Sequence, residues 1–160
     1  MSLLLTGAKT ATIAGTPLQC LEIYTLEAYT LAIAFVDETG TPIDTTGWAL
    51  STSCKWYTAD INEPETVSNT VDIDIQNIVL ISPQPTTPIA LAAVFTTPAT
   101  GDGYLYIPTT MSGTTPGTTP GLNDTTSLLA IVTMTVTRTD PLSGLTDVNR
   151  EPIGLIIRYQ

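Results

Sequence analysis

From Tyr29 to Tyr57 the chain reads YTLAIAFVDETGTPIDTTGWALSTSCKWY, and apolar side chains recur in it at every second position. Tyr29, Leu31, Ile33 and Phe35 form one such series, and Trp48, Leu50, Cys54 and Trp56 form another, broken only by Thr52. Period two is the spacing of a strand with one buried face; a helix would need repeats near 3.6. The two series are separated by Asp37-Glu38-Thr39-Gly40-Thr41-Pro42, a run of turn formers whose glycine can take positive φ. The stretch therefore predicts two strands joined by a polar link. Phe35, Trp48 and Trp56 are the expected core anchors, each indole contributing about 2–3 kcal/mol if fully buried.

The same spacing recurs along the chain. Leu18–Leu26 reads as a strand, and so do Val71–Ile75, Ile78–Ile81, Ile89–Thr96, Tyr104–Ile107 and Ile153–Tyr159. Leu128–Arg138 (LLAIVTMTVTR) is the strongest, with Val132 at its centre as a fourth core anchor. Its first half is apolar on both faces, which predicts a central position or one under the N-terminal arm. The segment 60–69 is acidic and reads as a solvated loop, and 109–127, in which Thr-Thr-Pro-Gly occurs twice, as a long Thr/Pro/Gly loop. No segment carries a helical pattern. Strands near ten residues apart, separated by turn signals, predict an all-β, single antiparallel β-sandwich, immunoglobulin-like or jelly-roll-like. The expected division is an extended N-terminal arm over 1–17 and a sandwich domain over 18–160. Leu3, Leu4, Leu5 and Ile13 of the arm are expected to pack on neighbouring subunits.

Composition narrows the chemistry. The chain of 160 residues is long enough for one core, yet only 12% of it is charged, about half the usual ~25%. A surface poor in charge suits a β-rich chain, and equally one covered by other subunits. The net charge is −10, and the five basic residues are dispersed, which argues against nucleic acid and against an anionic membrane. No apolar run approaches the ~20 residues of a membrane span, and the N-terminus lacks the basic start of a signal peptide, so assembly in a cytoplasm is expected. Histidine is absent, which removes the commonest general base and any Ser-His or Cys-His pair. Cys20 and Cys54 are expected to be free, and too few for a zinc site. Asp37, Asp44, Asp102, Asp140 and Asp147 fall in turns, where carboxylates usually cap backbone donors. These readings predict no enzyme, no cofactor and no metal. Tyr104 and Tyr106, beside the long loop, could form an assembly surface or a sugar platform.

The string Phe35-Val36-Asp37-Glu38-Thr39-Gly40-Thr41-Pro42-Ile43-Asp44-Thr45-Thr46-Gly47-Trp48 resembles a pattern of small tailed-phage structural proteins, in which a strand runs into D-x-x-G-x-P-I-D-L-T-G and an aromatic residue. Thr45 stands where the pattern has Leu. The segments Thr100–Tyr106 and Leu129–Arg138 resemble two further strands of the same modules, the second without its glycine. The resemblance spans about two-thirds of the chain. It implies the β-sandwich of baseplate and tail-fibre proteins, non-enzymatic and homo-oligomeric, with a trimer favoured and other virion proteins as partners. A baseplate or tail-fibre-attachment protein is the expected role. A capsid decoration (cement) protein and a module binding host-surface glycan are the alternatives.

Overall fold

A computed structural model describes residues 1–13, 15–24, 27–62, 73–82, 84, 92–107 and 127–158. The described chain is all-β. Its strands are β1 (Ser2–Leu5), β2 (Lys9–Ile13), β3 (Thr16–Tyr24), β4 (Tyr29–Val36), β5 (Ala49–Asn62), β6 (Ile73–Leu80), β7 (Ala92–Thr97), β8 (Asp102–Ile107), β9 (Ser127–Thr139) and β10 (Thr146–Arg158). One 3-10 turn, Pro98–Thr100, links β7 to β8. The segment expected as a loop over 60–69 is strand as far as Asn62, and its remainder lies outside the described residues. The expected loop 109–127 also lies outside them, except Ser127, which opens β9.

The strands form two sheets. One has the order β1-β4-β8-β7; the other, β10-β3-β2-β6-β5-β9, closes into a barrel through β9 and β10. The expectation of a purely antiparallel fold fails at two pairings, β10 with β3 and β2 with β6, which are parallel. The reason is topological. β6 and β10 run in opposite directions, so the β2–β3 hairpin inserted between them must meet both in the same sense, and here it meets both in parallel.

The barrel explains the sequence of β9. One face of this strand, Leu128, Ala130, Val132, Met134 and Val136, is buried against the four-stranded sheet in a core that includes Phe35, Leu105, Ile107, Trp56, Ile153 and Leu155. Leu129, on the other face, is buried inside the barrel with Ala11, Cys20, Ala59, Ile73, Ile75 and Ile156. Barrel closure is confined to one end: β3 meets β10 over Gly154–Arg158, and β6 meets β5 over Tyr57–Asn62. Past that end β5, β9 and β10 continue as a three-stranded blade, and Thr133, Thr135 and Thr137 replace the apolar residues on its outer face. Two apolar faces thus mark the closed end, and a change to threonine marks where the barrel opens.

The expected N-terminal arm is instead part of the fold. β1 pairs with β4, Leu3 opposite Phe35 and Leu5 opposite Ile33, and both leucines are buried. β2 is a barrel strand. The unpaired edge of β1 is tied to the barrel by Gln19 of β3, whose Oε1 accepts from the Leu5 N–H at 2.9 Å and whose Nε2 donates to the Leu3 carbonyl at 2.5 Å. Gln84 does the same for β5. Its Oε1 accepts from the Trp56 N–H at 2.9 Å, and its Nε2 donates to the carbonyls of Trp56 (3.0 Å) and Ile81 (2.6 Å). In both places a side-chain amide bonds backbone groups at a strand edge, and at Trp56 it shares the carbonyl with the Ile81 N–H (3.1 Å).

Candidate interaction surfaces

The stretch from Phe35 to Trp48 folds as a double turn that grips the four-stranded sheet. Asp37 Oδ1 accepts from the Thr39 N–H (2.8 Å), the Thr39 hydroxyl (2.7 Å) and the Thr41 N–H (3.0 Å), and Gly40 has φ 83°. Asp44 repeats the device on the Thr46 N–H (2.9 Å) and hydroxyl (2.6 Å). Hydrogen bonds to the ionised form, from the threonine hydroxyls first, hold both carboxyl groups below the usual carboxylate range. Between the two turns the Ile43 N–H donates to the Phe35 carbonyl at 3.1 Å, and the Phe35 N–H donates to the Gly101 carbonyl at 3.0 Å. Backbone approaches so closely at Gly101 that a Cβ there would stand 2.7 Å from the Ile43 oxygen. Thr45 is buried, and its hydroxyl donates to the Pro98 carbonyl at 3.0 Å. Both aspartates thus hold turns.

The outer face of the four-stranded sheet is nearly free of charge. Its register puts Ala32, Tyr104 and Val94 in one row, Thr30, Tyr106 and Ala92 in the next, and Leu4, Ala34 and Asp102 in a third. Asp102 is the single charged residue of these rows, and it lies at one end. Leu4 is 48% exposed, Val94 40% and Tyr106 39%. The inner side of the same strands packs Phe35 against Phe95, ring centroids 5.5 Å apart, across Gly103. A Cβ on Gly103 would collide with the Val94 carbonyl.

A second surface is the ribbon formed by the ends of β9 and β10. At its tip Asp140 Oδ1 accepts from the Leu142 N–H at 2.8 Å, and the Asp140 N–H donates to the Leu145 carbonyl at 2.8 Å. Backbone donors thus hold the Asp140 carboxyl below its ordinary range. The turn leaves Leu142 97% and Leu145 72% exposed. At the ribbon's base the Arg138 guanidinium donates to Asp147 Oδ2 from Nε (3.0 Å) and a terminal nitrogen (2.8 Å), and stands 5.6 Å from the Trp48 ring centroid. Met1, Ile43, Trp48, Arg138, Asp147 and Val148 line an open groove of about 480 Å³ beside it. From Thr146 to Ile153, β10 pairs with β9 alone among the described residues, and Pro152 sits in this half. A proline there is compatible with an open edge and hinders further pairing.

Phe35, Trp56 and Val132 are buried, while Trp48 precedes β5 and is only partly buried against the same core. Of the residues expected to mediate assembly, Leu4, Tyr104 and Tyr106 share the outer sheet face. Leu3 and Leu5 lie in the chain's own core, and Ile13 packs within the barrel. Asp102 and Asp147, expected in turns, are strand residues, and Asp147 is paired with Arg138. Leu142 and Leu145 had drawn no expectation, and two leucines flanking Ser143-Gly144 in a turn were the available signal. Both thiols are free. Desolvation pushes Cys20 up to about 11, against a lowering backbone contact from Gly154, and pushes Cys54 up to about 12. Among the described residues no three Cys, Asp or Glu side chains converge as metal ligands. No protein-family model matches the chain, and no curated protein matches it.

Proposed function

We propose that this chain is a non-enzymatic structural subunit of a tailed-phage virion, belonging to the baseplate or to the tail-fibre attachment, with capsid decoration as the second placement. Its two sheets make it a rigid block, read here as a β-sandwich of the jelly-roll-like or immunoglobulin-like kind with one layer rolled closed at one end. The observation that carries the reading is the β9–β10 tip, where a hydrogen-bonded turn projects Leu142 and Leu145 away from the core. An ordered tip that spends two leucines on solvent is suited to insertion into a neighbouring protein. The resemblance of residues 35–48 to phage structural modules supplies the virion context, and the double turn gives that stretch a role in holding the sheet. Other virion proteins are the partners, in a homo-oligomeric arrangement for which a trimer is favoured.

The test is incorporation. A Leu142→Asp/Leu145→Asp variant should fold with an unchanged thermal midpoint and be missing from assembled particles. Particles that take up this variant as fully as the unmodified chain would overturn the tip's role. A glycan-binding module is the second reading, favoured by the outward placement of Tyr104 and Tyr106. A glycan array read with the purified protein, and again with Tyr106→Ala, tests it.

A further inference from the structure

We draw no further inference here: the strongest candidate, the open groove of about 480 Å³ at the base of the β9–β10 ribbon, lined by Ile43, Trp48, Arg138 and Asp147, has its guanidinium already engaged by Asp147 and Trp48, and nothing in the structure shows what covers it.

Discussion

The carbonyl of Pro98 accepts two hydrogen bonds from Thr45, one from its N–H at 2.7 Å and one from its hydroxyl at 3.0 Å. This contact ties the second turn of the 35–48 stretch to the 3-10 turn before β8, across 53 residues of sequence. Thr45→Val keeps the volume and the backbone bond and removes the hydroxyl. The expected cost is about 1 kcal/mol, read as a lower urea midpoint with an unchanged m-value. An unchanged midpoint would mean that the backbone bond suffices.

Gly103 and Gly40 separate two reasons for glycine. Gly40, at φ 83°, faces open space, so Gly40→Ala should cost only the left-handed penalty of about 1 kcal/mol. Gly103→Ala would drive a methyl into the Val94 carbonyl and push β7 from β8, disturbing the Phe35–Phe95 contact. It should cost more, about 2–3 kcal/mol or failure to fold. Equal midpoints for the two variants would contradict the close approach at Gly103.

Gln84→Ala should expose the Trp56 amide. With the side-chain amide gone, the Trp56 N–H loses its acceptor beside a buried indole, a loss of about 2 kcal/mol. Hydrogen exchange at the Trp56 amide should quicken markedly, while amides in the centre of β9 change only with global stability. Uniform quickening at every site would instead indicate a purely global effect.

Much of the architecture was legible because each central strand carries its period in its own residues. Phe35, Trp56 and Val132 were placed from spacing alone. What escaped depended on partners remote in sequence. The run Ser2–Leu5 has three leucines in succession, which hides the alternation of buried Leu3 and Leu5 around exposed Leu4. Nothing local says that β1 will pair with β4. The parallel pairings follow from inserting a whole hairpin between β6 and β10, a choice the hairpin itself does not encode. The two faces of β9 were readable as apolar, but their separate destinations, sheet and barrel, were not. Leu142 and Leu145 lacked periodicity because a turn, not a strand, presents them.

Stability should fall at both ends of the pH range. Asp37, Asp44 and Asp140 have folded pKa values below their ordinary value of 3.8, so their contribution is present above that value and is lost as pH drops through the folded pKa. Cys20 and Cys54 are raised from 9.0, so the unfolded chain releases their protons first and stability declines as pH rises above about 9. Urea midpoints should therefore be level near neutrality, drop below about pH 4 and decline above about pH 9. Cys20→Ala/Cys54→Ala should flatten the alkaline limb. An alkaline limb of the same slope in that variant would assign the decline to other groups.

The central claim, that this chain works as a built-in part of a phage particle, is tested most directly by quantitative mass spectrometry of gradient-purified virions from cells that make it. The account predicts the chain in the particle band at a fixed small-integer ratio to a tail or capsid protein, unchanged by a high-salt wash. Its recovery only in the particle-free fractions, with none banding with virions, would contradict the account.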